Sequence, residues 1–296
     1  MSAIGARPVA VEMTAVRPRR SWARRLMSNP NGVVGLVLCG VLALATLAAM
    51  LGVLPHDPLE QDTHAILSAP SGEHWFGTDQ FGRDMFSRVV VGIRSSAQIA
   101  VVAVAIATVV GVAAGIAAAY FGRWVSATVL RITDVLFAFP AILLALAIAT
   151  ALGHGWLNTA IAVAIVYIPI FVRVSRGPVL TLRDADFIRA GRVLGFSPWR
   201  LLTGHVLPNI AAVIVVQVTV ALSWAVLTES SLSFLGLGTQ PPTPSLGRMV
   251  SDATTLAATA WWTLAAPAVA ITMAVLGLNL LGDGLRDALD PTDSDR

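Results

Sequence analysis

Apolar residues along this chain gather into long runs. Six stretches, Gly32 to Leu54, Ser96 to Tyr120, Val129 to Leu152, Leu157 to Val174, Ile210 to Leu235 and Trp262 to Leu281, are almost free of charge. Each is near the ~20 residues with which an α-helix crosses hydrocarbon. A helix is also the shape that satisfies its own backbone polar groups in that solvent. The pattern predicts an all-α, polytopic membrane protein of about six transmembrane helices. Residues 236–261 hold a weaker apolar stretch, the length of a short re-entrant element. The first span is not read as a cleaved signal peptide. Its run exceeds the usual ~7–15 residues, and no small-residue cleavage site follows.

Three regions follow. Residues 1–31 form an N-terminal segment, 32–285 the membrane domain, and 286–296 a tail. Within the membrane domain, a loop at about 55–95 lies on one side and a loop at about 175–208 on the other. In the N-terminal segment, Trp22 and Leu26 fall one helical turn apart among Arg19, Arg20, Arg24 and Arg25. That pattern predicts a basic helix lying along the membrane surface.

Composition removes the soluble alternative. The chain is 56% hydrophobic and 12% charged, with a mean hydropathy of +0.75. Soluble domains carry about 25% charge, so this chain lacks the polar surface to coat a globule of its size. All 20 basic residues are arginine. Without lysine, neither a G-x-x-x-x-G-K-[ST] phosphate loop nor a Schiff base can form. Nucleotide energy, if used, must be released on another chain. The net charge of +3 reflects orientation rather than nucleic-acid binding. With the N-terminus inside, only Arg83, Arg88, Arg94 and Arg248 fall outside, so the positive-inside rule places both termini in the cytoplasm.

Packing signals fit a helix bundle. Gly111-Val-Ala-Ala-Gly115 is a small-xxx-small pattern that lets helices approach closely. Pro140, Pro169 and Pro267 are expected to kink their helices. Cys39, alone in an apolar run, reads as a packing residue. The loop after the fourth span carries the clearest local code. Asp186 to Leu194 predicts a short amphipathic helix, and Gly195 ends it in a left-handed cap. Ser197 and Pro198 then supply an N-cap and a first-turn proline for a second helix through Leu207. Pro208 and Asn209 are expected to separate that helix from the next span. Phe187, Ile188, Val193, Leu194, Phe196 and Trp199 give the hairpin much apolar surface. Such a surface needs a cover, either its own bundle or a groove on a partner.

Three motifs in order carry a family resemblance. Arg189-Ala190-Gly191-x-x-x-Gly195, nine further residues, then His205-Val-Leu207-Pro208 is similar to the EAA loop of importer-type ABC permeases. There the pattern is E-A-A-x-x-x-G, nine residues, I-x-L-P. Arg189 stands in place of the Glu and His205 in place of the Ile, departures that resemble the peptide-transporter branch. His74-Trp-Phe-Gly-Thr-Asp-Gln-Phe-Gly-Arg-Asp-Met-Phe-Ser-Arg88 is similar to the G-T-D-x-x-G-R-D-x-x-S-R signature of C-type subunits of dipeptide and oligopeptide importers. Glu229 to Gly238 and Gln240 to Met249 resemble that subfamily's E-x-x-L-S-F-L-G-L-G and Q-P-P-x-P-x-W-G-x-M, with Leu246 for the usual Trp. The resemblance runs from about residue 30 to 291.

The resemblance implies an ABC importer type I permease fold, half of a translocation path for di- or oligopeptides in the cytoplasmic membrane. Its partners would be a second homologous permease, two ATP-binding subunits and an extracytoplasmic substrate-binding protein. ATP and Mg would be used by those partners, with no cofactor on this chain. Phe187, Arg189, Ala190, Gly191, Leu194, Gly195, Ser197, Pro198, His205, Leu207 and Pro208 would form the ATPase-coupling surface.

The remaining polar residues offer little chemistry. Glu229, in the fifth apolar run, would lie in hydrocarbon at a cost of about 2.5–3.5 kcal/mol. It reads either as a path-facing carboxylate beside Ser230 or as a structural hydrogen-bonding group. Asp134 is expected to pair with Arg131 or lipid headgroups. Histidines 56, 64, 74, 154 and 205 lack metal-site spacing, so no metal centre is expected. Asp79 with Arg83, and Asp84 with Arg88, have the i,i+4 spacing of ion pairs on a short helix. No catalytic constellation is read, so the chain is not expected to be an enzyme. The rival class is a secondary transporter or channel without ATPases, which predicts inverted repeats and several buried ionisable groups.

Overall fold

The computed structural model describes residues 22–289, and among these the secondary structure is helical apart from one isolated β-bridge between Thr78 and Asp84. The helices are α1 (Trp22–Ser28), α2 (Pro30–Leu51), α3 (Met85–Tyr120), α4 (Arg123–Phe137), α5 (Ala141–Leu152), α6 (Trp156–Arg183), α7 (Asp186–Val193), α8 (Pro198–Leu201), α9 (Leu207–Phe234), α10 (Leu246–Ala253) and α11 (Trp261–Leu289). A π-helical turn, Leu202–Val206, joins α8 to α9.

Five elements are long and apolar enough to cross a membrane: α2, α3, α6, the continuous rod from α8 through α9, and α11. The expected third span differs. Val129 to Leu152 is not one straight helix but the pair α4 and α5, bent by 95°. Pro140 is the cause. It lacks an N–H, and its ring pushes the preceding Phe139 out of helical geometry. The 12-residue α5 rises only about 18 Å, short of the ~30 Å of hydrocarbon, so only the pair together can span. Pro169 and Pro267 instead lie inside α6 and α11, whose helices run on through them.

Local chemistry sets the ends. Pro30 occupies the first turn of α2, and Asn29 caps it by accepting from the Asn31 and Gly32 N–H groups. Gly52, at φ +68°, closes it in the left-handed region that glycine favours. A helix, α1, forms in the basic N-terminal segment. Its Leu26 is buried at Gly32 and Gly284, and Trp22 is exposed. Arg19 and Arg20 lie outside the described residues.

The centre of the bundle is α3 against α6, joined by α5 and α9. Gly111 and Gly115 are the contact. A Cβ on Gly111 would sit 2.5 Å from Phe171 Cβ and 2.8 Å from the Ile168 carbonyl oxygen. One on Gly115 would meet Ser175 Oγ and lie 2.6 Å from the Val172 carbonyl oxygen. Polar cross-ties are few. Tyr167 and Thr228 share a hydroxyl hydrogen bond of 3.0 Å between α6 and α9, and Thr159 donates to the Leu237 carbonyl at 2.9 Å. Outside this centre, α2 leans on α11 through glycines. Gly35 lies against the Leu280–Leu281 backbone, and Gly32 faces Gly284.

At 36 residues α3 is about 54 Å long, so it outreaches the hydrocarbon. The 175–208 loop gathers at its C-terminal end, where Arg183 donates to the Ala119 carbonyl at 3.0 Å. The 52–84 loop and α10 gather at its N-terminal end. The 236–261 segment does not cross. Its eight-residue α10 buries Leu246 and Met249 against Met85 and Val89, and Trp262 donates to the Thr78 carbonyl at 3.1 Å.

Gly115→Val should lower the stability of the detergent-solubilised chain by about 1–3 kcal/mol through overpacking, read by denaturant titration. Gly40→Val, where nothing lies within 4 Å of a built Cβ, should leave it unchanged.

Candidate functional site

The hairpin at the C-terminal end of α3 forms as expected in its turn. Gly195, at φ +77°, stands just beyond α7. The Phe196 N–H donates to the Gly191 carbonyl and the Gly195 N–H to the Arg192 carbonyl, both at 3.0 Å. This is the Schellman arrangement, which needs a residue at ease in the left-handed region. Ser197 accepts from the Arg200 N–H at 3.3 Å, and Pro198 opens α8. Gly191 leaves the space into which Leu201 packs, since a Cβ there would lie 2.7 Å from a Leu201 methyl.

The second half differs from expectation. Pro208 does not separate the hairpin from the next span. The chain passes from α8 into α9 through the π turn, where the Leu207 N–H reaches back to the Leu202 carbonyl. A proline ring crowds the carbonyl four residues earlier, here that of Gly204. The wider turn accommodates this crowding, so the 37 residues Pro198–Phe234 act as one rod.

The hairpin's apolar surface is divided. Ile188, Leu201, Leu202, Val206 and Ile210 are buried with Ala119 and Val179 under the bundle. Phe187, Val193, Leu194 and Trp199 keep 48%, 88%, 72% and 72% of their surface exposed. Arg189, Arg192 and Arg200 are also exposed, with Ala190, His205, Leu207 and Pro208. His205 stacks on Phe196 at 6.4 Å and meets Phe187 edge-on at 6.5 Å. Arg200 lies over the Phe196 ring at 4.2 Å. The fold thus brings the expected residues into one unit. Gly191, Gly195, Ser197 and Pro198 shape it, while Phe187, Arg189, Leu194 and His205 face out. Val193 and Trp199, read in the sequence only as apolar surface, are at least as exposed as Leu194.

Glu229 is fully enclosed. Ser233, one turn on, donates to its Oε1 at 2.6 Å, with Ser96 and Ser230 beside it. Gly247 of α10 packs against the Ser230 carbonyl so closely that no Cβ fits. This geometry is that of a structural tie between α3, α9 and α10. Asp134 pairs not with Arg131 but with Arg173 of α6 at 2.8 Å, and Arg173 also covers the Phe137 ring at 4.2 Å.

The 52–84 loop corrects two expectations. Asp79 does pair with Arg83, at 2.7 Å, but in a turn rather than a helix. Arg88 also approaches Asp79, at 3.4 Å, and donates to the Pro58 carbonyl at 3.1 Å. Asp84 has no ion pair with Arg88, because it caps α3. Its Oδ2 accepts from the Ser87 N–H at 2.8 Å. Its Oδ1 lies 3.0 Å from His74 Nδ1 and 3.8 Å from His56 Nδ1. Histidine spacing gave no sign of this meeting, since the loop folds back over the start of α3 to make it.

The described residues thus form a bundle of membrane-length helices with a hairpin at one end half open to solvent. Residues 111–292 match the family described as binding-protein-dependent transport system inner membrane component, and the chain belongs to that family. It is 43% identical to the dipeptide transport system permease protein DppC of Alkalihalophilus pseudofirmus, over 96% of this chain and 93% of that one. It is 40% identical to the glutathione transport system permease protein GsiD of Pectobacterium atrosepticum, over 92% and 90%. With the di/tripeptide transport system permease protein DppC of Pseudomonas aeruginosa the identity is 39%, over 93% and 92%. The chain is therefore a multi-pass inner-membrane permease subunit, and not itself an enzyme.

Replacing Glu229 tests its structural role. Glu229→Gln keeps an acceptor for Ser233 and should preserve the yield of monodisperse protein on size exclusion. Glu229→Ala strands a buried hydroxyl, at a cost of about 1–3 kcal/mol, and should lower that yield.

Proposed function

We propose that this permease forms half of a path that imports di- or oligopeptides, driven by ATP hydrolysed on other chains. The peptide substrate rests on the dipeptide and di/tripeptide permeases to which the chain is 43% and 39% identical over more than nine-tenths of its length. The glutathione permease, itself named for a peptide-like solute, fits the same class. A second homologous permease faces this one across the path. An extracytoplasmic binding protein delivers the solute, and two ATP-binding subunits use ATP and Mg²⁺. Both termini are cytoplasmic, which puts the hairpin on the cytoplasmic side with the ATPases.

One observation carries the coupling role: the division of the hairpin. Its inner face fixes it to the bundle, and its outer face leaves Phe187, Val193, Leu194 and Trp199 in water. Four large apolar side chains on two short helices are a costly thing to expose, and a cleft on a partner removes that cost. The arginines around them favour an acidic rim on that cleft. Closure of the ATPases on nucleotide would then move the hairpin. Because α8 continues into α9, that movement would reach the membrane helices without a flexible joint. This is a coupling free energy between two sites through one bistable element.

The tests separate docking from folding. Trp199→Ala combined with Val193→Asp should leave the permease folded, with an unchanged thermal midpoint. It should weaken retention of the ATPase subunits roughly 30-fold, the equivalent of a ~2 kcal/mol anchor. Full retention and transport would refute the coupling role. Gly195→Val should depress solute-stimulated ATPase activity of the assembled complex, since a β-branched residue in the left-handed region is strained by about 1–3 kcal/mol. Gly195→Asn, which tolerates that region, should restore most of it.

A further inference from the structure

We propose that His56, His74 and Asp84 bind a first-row transition-metal dication of the zinc class, which clamps the 52–84 loop to the start of α3. The three donor atoms all lie within 4.8 Å of one another. Metal–ligand bonds of ~2.0–2.2 Å in a tetrahedron place ligand atoms roughly 3.4 Å apart. The 3.0 Å and 3.8 Å separations from Asp84 Oδ1 to His74 and His56 Nδ1 bracket that spacing. The two Asp84 edges need to change by only about 0.4 Å each to reach it, and the edge between the histidines, at most 4.8 Å, shortens most.

The unmetallated arrangement leaves something over. His74 and Asp84 alone make an ordinary hydrogen-bonded pair. His56 does not join it, because 3.8 Å is too long for a hydrogen bond. Yet its Nδ1 is shut from solvent and has no hydrogen-bond partner among the described residues. A buried polar atom without a partner costs about 1–3 kcal/mol. A cation between His56 and Asp84 removes that cost and satisfies all three groups together.

The surroundings hold the ligands in place. The Ser87 N–H occupies Asp84 Oδ2, which leaves Oδ1 as the oxygen turned to the two histidines. The His74 N–H donates to Ser71 Oγ at 3.1 Å, and its carbonyl accepts from the Ser71 and Gly77 N–H groups at 2.8 Å and 2.9 Å. Arg88 holds the chain beside His56 by its bond to the Pro58 carbonyl. The imidazole rings lie 4.8 Å apart, tilted by 39°. Two imidazoles and one carboxylate suit zinc, nickel or copper rather than calcium or magnesium, which prefer oxygen. Three protein ligands leave a fourth position open, for water or a donor from another molecule.

The test uses the full chain in detergent, without a polyhistidine tag, stripped with EDTA and equilibrated with Zn²⁺. Metal content by atomic emission should reach one zinc per chain. His56→Ala and His74→Ala should each weaken binding at least about 10-fold, the loss that outer-shell partners alone can cause. His64→Ala, outside the cluster, should bind as the unaltered chain does. Zinc should also raise the thermal midpoint of the unaltered chain but not of His56→Ala. No retained zinc on the unaltered chain overturns the proposal, and so does equal retention by a well-folded His74→Ala chain. Should both alanine variants aggregate, His56→Gln serves in the same titration, and undiminished binding there counts against the site.

Discussion

Among lipid tails an apolar side chain is as well solvated as it is in a protein core, so helices gain little from hiding leucines from one another. What holds them is how closely their backbones can approach. In this chain that constraint falls on Gly111 and Gly115, where α3 lies against α6 with no room for a methyl group. The rest of the bundle follows from that contact. It places α5 and α9 around the pair, and it brings Ala119 and Val179 together as the floor on which the hairpin rests. The same device recurs at Gly32, Gly35 and Gly284, which attach α2 to the edge through α11.

At the aqueous end the physics reverses, because exposed hydrocarbon is unfavourable there. The hairpin meets both conditions by having two faces. Ile188, Leu201 and Val206 use the ordinary hydrophobic effect to fix it to the floor, while Trp199 and Val193 are left over. Two glycines make this possible for separate reasons. Gly191 lets Leu201 close on α7, and Gly195 turns the chain back without strain.

Much of this was legible in the residues themselves. Five of the six apolar runs, the glycine pair, the Gly195 cap and the Ser197-Pro198 start each rest on local rules, and each appears where those rules place it. The misreadings came from contacts between distant segments or from how a proline is absorbed. Pro140 bends its span by 95° while Pro208 merely widens a turn. Composition could not divide the hairpin's apolar surface between bundle and partner, because periodicity shows that a face is apolar without showing what covers it. Asp84 read as the partner of Arg88 because i,i+4 spacing assumes a helix, whereas Asp84 precedes the helix and caps it. Asp134 likewise found its arginine on another helix.

The unbroken run from Pro198 to Phe234 has a mechanical consequence. Trp199 and Glu229 are 30 positions apart on one stiff rod, about 45 Å along its axis. Near one tip a bare indole sits in water; near the other a sealed carboxyl is wedged between serines and the α10 backbone. No break in the helix separates the two tips, so a displacement of the indole has continuous backbone along which to reach the wedge.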